Sequence, residues 1–287
     1  MTITHAVPLD EFPERYRPLI LAEFAECGHK EIVLSIGMIR DMLANPNAIH
    51  GWRNLIEGSG MKIVDAHAPF GRYSDLNCPI PELRPAMLAQ KRLSLELAAS
   101  FGVRTITMHV GEPGFLDVSL DRLHDYLLES LEELLPLAEK LGVVIAIENI
   151  WFPTCSSDRL LDAVKRFQTP ALGICYDSGH ANIMAGKNVT DANHGLWDYR
   201  QRGMEPAWND HILEDVLPHV VNCHLHDNDG QRDLHLLPGK GTIDWSRIVG
   251  LLRRAPRLDS VQNEANFNQD PPATIAGIVE TFRRLFA

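Results

Sequence analysis

A unit of helix, glycine and short apolar strand recurs four times along this chain, in the segments AEFAECGHKEIVLS, LIEGSGMKIVDAH, ELAASFGVRTITMHV and PLAEKLGVVIAIEN. The glycines are Gly28, Gly60, Gly102 and Gly142, and each lies where a helix would end in a left-handed residue. The run after each glycine is rich in Val, Ile and Thr. Nearly continuous apolar runs are typical of parallel strands that helices cover. The unit therefore predicts alternating helices and parallel strands.

The same pattern extends over the whole chain and gives eight candidate strands separated by helices. They lie near Ile3–Val7, Glu31–Ile36, Lys62–His67, Arg104–His109, Val143–Glu148, Leu172–Asp177, Val220–His224 and Ser260–Glu264. Eight strand–helix units in 287 residues predict an α/β fold, a single (β/α)8 TIM barrel, with a doubly wound parallel sheet as the alternative. Because no linker, low-complexity segment or change in composition divides the chain, we expect one domain over residues 1–287.

The composition is that of an ordinary globular protein, with 45% hydrophobic and 23% charged residues. The five cysteines form no C-x-x-C pair, and the N-terminus lacks a signal-peptide pattern. No apolar run approaches the ~20 residues of a membrane helix. The net charge of −11 argues against broad binding to nucleic-acid phosphates. We therefore expect a reduced, cytoplasmic protein that does not enter a membrane.

Six of the candidate strands end in a residue type that binds metals, namely His67, His109, Glu148, Asp177, His224 and Glu264. In a barrel, the carboxyl ends of the strands meet at one mouth, where barrel enzymes carry their sites. The side-chain period of two predicts which other residues share the inward face with these ligands. These residues are Val144, Ala146, Gly173, Cys175, Thr105, Thr107 and Asn222.

Three further candidates lie in loops beyond the strand ends. Asp233 and His235 belong to the stretch HLHDNDGQRDLH, and His180 lies about one helical turn beyond Asp177. Any one of the nine residues alone is better explained as a hydrogen-bonded or capping residue, but six of them at strand ends favour a shared metal site. The mixed nitrogen and oxygen donors suit zinc or manganese, with magnesium and cobalt as further options. We expect only supporting or solvated loop positions for His226, Asp227, Asp229 and Lys240.

Together, the motifs HAPFG, TMHVG, AIENI, GICYDSGHANI, CHLHDNDGQRDLHLLPGKGTIDW and QNEANF resemble the xylose-isomerase-like barrel superfamily, in particular its sugar phosphate isomerase/epimerase branch. The resemblance runs from about Asp65 to Glu264. Similarity to the ketose 3-epimerases of the superfamily implies one divalent ion held by Glu148, Asp177, His224 and Glu264. Similarity to the endonuclease IV-type DNA repair enzymes implies three zinc ions held by all nine candidates.

The residues around these ligands favour the sugar branch. The chain has ENIWFPT where the repair enzymes show an ENTAGQG-like turn, and HDNDG where they show a DSK-like continuation. We therefore expect a metal-dependent isomerase or epimerase of a small sugar, sugar phosphate or related polyhydroxy carbonyl compound. Glu148 and Glu264 would be the catalytic pair that moves the proton beside the carbonyl. Further metal ions or substrate hydroxyls would be held by His67, His109, His180, Asp233 and His235.

Other functions remain open at this point. They are metal-dependent phosphodiester cleavage at abasic DNA sites, metal-dependent dehydration of a cyclic polyol, and a barrel that only binds a sugar as a sensor. Nucleic acid is the less expected partner, because the chain lacks a basic stretch with interleaved aromatic residues. A homo-oligomer is compatible with such a barrel. The long connection Ala185–Asp210 is expected to be a lid over the mouth or a subunit contact.

Overall fold

Eight parallel strands close into a barrel in the computed structural model, which describes residues 1–111, 118–186 and 206–287. The strands are β1 Thr2–His5, β2 Glu31–Leu34, β3 Lys62–His67, β4 Thr105–Met108, β5 Val144–Glu148, β6 Leu172–Asp177, β7 Val220–Leu225 and β8 Ser260–Asn263. They neighbour one another in chain order, and β1 pairs with β8 from Thr2 opposite Ser260 to His5 opposite Asn263. This closing pair confirms the (β/α)8 barrel and excludes the doubly wound sheet.

Four strands end earlier than the sequence predicts. β1 stops at His5, two residues before the predicted end at Val7. β2 stops at Leu34 because Ser35 already caps the next helix, with its Oγ accepting a hydrogen bond from the Met38 amide. β4 and β8 stop one residue early, so His109 and Glu264 are the first residues after their strands.

Helices follow the strands around the outside of the barrel. They are α1 Arg17–Glu26, α2 Ile36–Ala44, α3 Ala48–Gly58, α4 Arg84–Ser100, α5 Leu120–Leu141, α6 Ser157–Phe167, α7 Ser178–Met184, α8 Ile212–Val216, α9 Trp245–Leu252 and α10 Ile275–Leu285. Short 3-10 turns occupy Leu9–Glu11, Glu14–Tyr16, Pro153–Cys155 and Leu217–His219. The four glycines of the repeated unit all have positive φ, from 66° to 84°, as a left-handed helix end requires. Among the described helices, none combines the length and apolarity needed to cross a bilayer.

The inward faces of the strands match the predicted period of two. Val144, Ala146 and Cys175 form a small apolar group inside the barrel, separate from the large core between strands and helices. Val221 joins this group because the pairing of β6 with β7 shifts by one residue after Ile174. A Cβ on Gly173 would lie 2.4 Å from Val221 Cγ1, so only glycine leaves room for this side chain.

Candidate metal centre

His224, at the end of β7, is the meeting point of three carboxylates that come from three other strands. Its Nδ1 lies 3.0 Å from Glu148 Oε1, 3.2 Å from Glu264 Oε1 and 3.9 Å from Asp177 Oδ2. The strand ends bring these four predicted ligands together, because parallel strands of a barrel open onto one mouth. The set is buried, and only the Glu264 side chain keeps appreciable exposure, at 15%.

Two further imidazoles lie at the other oxygen of Glu148. His109 Nε2 is 3.0 Å and His67 Nε2 is 3.7 Å from Glu148 Oε2. The two histidines come from the ends of the neighbouring strands β3 and β4, in contact with each other edge to face. Glu148 thus offers one oxygen to each of two adjoining groups of ligands.

The three predicted loop ligands form a third group beside Asp177. Asp233 Oδ2 lies 3.1 Å from His235 Nε2 and 3.7 Å from His180 Nε2. His180 is in place because Asp177 caps helix α7, with Oδ1 accepting a hydrogen bond from the His180 amide at 2.7 Å. The backbone of His235 is left-handed, with φ of 48°, which turns its side chain back toward the mouth. All nine predicted residues therefore meet at one end of the barrel.

The tautomers of three histidines fit a cation site. The Nδ1 atoms of His67, His180 and His235 lie 2.9, 2.9 and 2.8 Å from the carbonyl oxygens of Ala68, Asn149 and Glu264. A carbonyl oxygen can only accept, so in each neutral ring Nδ1 carries the proton and Nε2 presents its lone pair to the mouth. In addition, the buried Asp233 Oδ1 has no hydrogen-bond partner among the described residues. Donor set, tautomers and this unpaired oxygen all suit a divalent cation.

Charge within the cluster shifts several pKa values in opposite directions. Burial raises the pKa of Glu148, but the surrounding imidazoles, above all His224, outweigh burial and hold that pKa well below its usual range. Burial lowers the pKa of His180 and His235, yet the nearby Asp177 and Asp233 carboxylates raise these pKa values to about 10 and about 9. Without a cation, the cluster therefore holds ionised carboxylates beside protonated imidazoles.

His226 belongs to the cluster, although the sequence led us to expect a supporting or solvated loop position. It is fully buried, its Nε2 lies 3.1 Å from Asp177 Oδ2 and 3.7 Å from Asp233 Oδ1, and its ring stacks on His235 at 3.8 Å. The available signal was its place two residues beyond His224, on the same side of the extended chain.

The other loop residues of that stretch differ among themselves. Asp227 is fully buried rather than solvated, and its carboxylate accepts hydrogen bonds from the Gly239 and Ile243 amides and from Trp245 Nε1. Asp229 pairs with Arg232 near the surface, and Lys240 is exposed, both as expected.

A cavity of about 790 Å³ opens above the ligands and contains most of the predicted set. Its walls include aromatic side chains that were not among the predicted site residues. Phe70 stacks on His109 at 3.9 Å, and Trp151 meets His180 edge-on at 4.9 Å. Each aromatic residue follows a strand-end ligand by three positions, which is the sequence signal that could have identified them. Most of the connection Ala185–Asp210, predicted as a lid or subunit contact, lies outside the described residues.

The model of the xylose isomerase-like TIM barrel family matches residues 22–264. The chain belongs to this family. One curated relative, an uncharacterized protein of Methanocaldococcus jannaschii, is 28% identical over 199 residues, which cover 66% of this chain and 60% of that relative. A second protein of the same organism is 26% identical over 72% of this chain and 77% of its own length.

Solved structures share the fold across nearly the whole chain. A D-tagatose 3-epimerase-like protein superposes with a TM-score of 0.73 at 20% identity, covering 100% of this chain and 97% of its own. The 3-keto-D-glucoside 4-epimerase of E. coli superposes with a TM-score of 0.71 at 19% identity, covering 99% of this chain and 98% of its own. An IolI protein with a bound zinc atom superposes with a TM-score of 0.71 at 16% identity, covering 99% of this chain and 96% of its own. At such identities, the likeness shows the fold alone.

Proposed function

We propose that this protein is a divalent-metal-dependent isomerase or epimerase of a small sugar, sugar phosphate or related polyhydroxy carbonyl compound. The observation that carries the proposal is the convergence of Glu148, Asp177 and Glu264 on His224 Nδ1, directly beneath an open cavity that Glu148 and Glu264 line. Epimerases of sugars among the proteins of the same fold support the substrate class. The zinc atom in the IolI protein supports a divalent cation, with zinc and manganese as the candidates.

The cation would be held by Glu148, Asp177, His224 and Glu264. When bound, it would supply Lewis acidity, which polarises a substrate carbonyl and acidifies the neighbouring C–H. His67, His109, His180, Asp233 and His235 would hold additional metal ions or orient substrate hydroxyls. Their Nε2 and carboxylate atoms border the same cavity, so either role places them against the ligand.

Glu148 and Glu264 are the proposed acid–base pair. They come from β5 and from the residue after β8, so they reach the cavity floor from different sides of the barrel. Imidazoles keep the Glu148 pKa low, which keeps its carboxylate available to accept a proton. Glu264 is the more exposed of the two, and Gln262 Nε2 donates to its Oε1 at 2.5 Å, which fixes the direction of the carboxylate.

Deuterium exchange tests this proposal. The metal-loaded protein is incubated with ketohexoses and their phosphates in deuterated water, and label at the carbon beside the carbonyl is measured by NMR. We expect label and product with the wild type, and neither with Glu148→Gln or Glu264→Gln. Glu57→Gln, at an exposed position on α3, is the matched control and should exchange normally. Exchange at the wild-type rate in either active-site variant would overturn the two-glutamate mechanism.

Cleavage of DNA at abasic sites is a second candidate, because the nine ligands fall into three adjoining groups. The groups centre on Glu148 with His67 and His109, on His224 with the carboxylates, and on Asp233 with His180 and His235. Metal analysis of the purified protein separates the two functions. One ion per chain favours the epimerase, whereas three zinc ions together with nicking of an abasic duplex would favour the phosphodiesterase.

A further inference from the structure

A chain of buried hydrogen bonds runs from Asp65, deep in the barrel, to His224. Asn222 Nδ2 donates to Asp65 Oδ2 at 3.1 Å and to Thr107 Oγ1 at 2.9 Å. Thr107 Oγ1 in turn lies 3.2 Å from His224 Nε2, the ring nitrogen that faces away from the three carboxylates. All four side chains are 0% exposed. They come from β3, β4 and β7, so the chain of contacts exists only in the closed barrel.

The chemistry of these groups fixes the direction of the hydrogen bonds that join Asp65, Asn222 and Thr107. An ionised Asp65 can only accept, so it turns the amino group of Asn222 rather than its carbonyl toward itself and toward Thr107. Thr107 Oγ1 accepts one of those N–H groups and retains a second lone pair. When His224 Nδ1 gives its lone pair to a cation, Nε2 must carry the proton of the ring, and the second lone pair of Thr107 Oγ1, 3.2 Å away, accepts it.

We propose that Asp65, Asn222 and Thr107 are positioning residues that hold His224 in the tautomer and orientation required for Nδ1 to bind a divalent cation. This inference rests on the proposed metal centre. Outer partners of this kind orient metal-binding imidazoles and raise their basicity. His224 turns Nδ1 to the site, whereas His67, His180 and His235 turn Nε2 to it. In the described structure, the other nitrogen of His224 contacts the Thr107 hydroxyl and no backbone carbonyl, so His224 needs a different arrangement.

A purely structural role explains these residues less well. Burial raises the pKa of Asp65, with hydrogen bonds from Ser260 and Asn222 opposing that rise, so a carboxylate here is costly to keep. The small apolar group formed by Val144, Ala146 and Cys175 shows that the barrel interior can also be filled without charge. The next threonine on the same inward face, Thr105, is buried with no hydrogen-bond partner for its hydroxyl among the described residues. Of these two threonines, Thr107 alone has a hydrogen-bonding contact with the site in the part of the chain that the structure describes.

Three threonine variants test the inference. Thr107→Val keeps the shape and removes the acceptor, Thr107→Ser keeps the hydroxyl, and Thr105→Val makes the same chemical change two residues away. Metal is stripped with chelator, and zinc and manganese affinities are measured by isothermal titration calorimetry. We expect Thr107→Val to bind about 10–100-fold more weakly. Thr107→Ser and Thr105→Val should stay close to the wild type, and Asp65→Asn should weaken binding in the same direction as Thr107→Val.

A spectroscopic measurement separates positioning from general destabilisation. Histidine ¹H–¹⁵N correlation spectra of the zinc-loaded protein, assigned with His224→Gln, should show an Nε2 proton on His224. In Thr107→Val, that proton should shift upfield because its acceptor is lost, whereas Thr105→Val should leave it in place. If the wild type binds zinc but Thr107→Val binds it as tightly, the positioning role is wrong and the metal centre stands. If the wild type binds neither ion, the metal centre is wrong and this inference with it.

Discussion

Gly179 lies directly against the imidazole ring of His226. A Cβ on Gly179 would stand 2.0 Å from His226 Cε1, well inside contact distance. Because that Cβ is missing, the ring can approach helix α7 closely enough for Nε2 to reach Asp177 Oδ2 at 3.1 Å. A glycine in the first turn of a helix thus determines whether a loop histidine joins the ligand cluster.

We expect Gly179→Ala to displace His226 and to lower the free energy of unfolding by about 1–3 kcal/mol, the usual cost of overpacking. Urea denaturation of the metal-free protein measures this change. Gly250→Ala is the control, because Gly250 lies within α9 with nothing within 4 Å of an added Cβ. That variant should gain about 0.5–1 kcal/mol from the better helix propensity of alanine. Equal effects of the two substitutions would contradict the steric explanation.

Cation uptake should release protons and weaken as the pH falls. Burial lowers the His224 pKa, but the adjacent Cys175 and the carboxylates of Glu264 and Glu148 outweigh burial and raise this pKa well above 6.5. The pKa values of His180 and His235 are raised to about 10 and about 9. At pH 7, these imidazoles therefore hold protons that a cation must displace. Affinity should drop about tenfold per pH unit for each proton released. Titration calorimetry in two buffers of different ionisation enthalpy counts the protons, and a count of zero would contradict this charge state.

Asp227→Asn should loosen the loop that carries Asp233 and His235. The Asp227 carboxylate accepts from the amides of Gly239, Ile243 and Asn228 and from Trp245 Nε1. An amide at this position would turn its own N–H groups against some of these donors, at a cost of about 2–4 kcal/mol in unfolding free energy. Thermal and urea unfolding measure the loss.

Asp229→Asn provides the comparison two residues further along the chain. Its side chain is 31% exposed and pairs with Arg232, so we expect a loss of about 1 kcal/mol or less. If the Asp227→Asn and Asp229→Asn variants were equally stable, the buried Asp227 carboxylate would not be the group that holds the loop.

His5 should make the protein sensitive to acid. Burial, with a smaller contribution from His29, lowers the His5 pKa to about 3, and neither ring nitrogen has a hydrogen-bond partner among the described residues. In the unfolded chain, His5 binds a proton below pH 6.5, whereas in the folded chain it does not. His5 therefore lowers the free energy of unfolding as the pH falls from 6.5 toward 3. Over this range, the free energy of unfolding falls by about 1.4 kcal/mol per pH unit because of His5.

His5→Phe should remove this slope, since the ring already lies among Phe24 and Phe282. Between pH 6.5 and 4.5, we expect the variant to lose about 2–3 kcal/mol less than the wild type in urea titrations. The exposed His50 on α3, replaced in the same way, controls for the change of side chain. Parallel pH profiles for wild type and His5→Phe would overturn the assignment.

Most of the fold follows from local patterns in the sequence. The glycine that ends a helix and the apolar run after it recur often enough to place eight strands, and the period of two places Ala146 and Cys175 inside the barrel. The ends of the strands were predicted less well. At Ser35, for example, the side chain caps the next helix, and β2 ends there instead of continuing. Six of the nine candidate ligands were selected because the fold makes strand ends meet, and the other three because they lie in loops beyond those ends.

His226 and Phe70 are site residues that the local sequence patterns did not predict. Both lie in loops, where the period of two no longer assigns a side chain to a face, so their spacing from His224 and His67 was a signal too weak to select them before the loop paths were known. The hydrogen bonds that connect Asp65 to His224 likewise join residues up to 157 positions apart in the chain.

The sequence by itself determined the alternation of strands and helices, the inward residues next to the ligands of β4 to β7 and the residue types at the mouth, because these depend on neighbours a few positions away. Only the tertiary structure decided which oxygen of Glu148 faces which imidazole, which nitrogen of His224 points to the carboxylates, and that His226 joins them. These choices depend on contacts between different strands and loops, whose distances and directions are fixed only when the barrel closes.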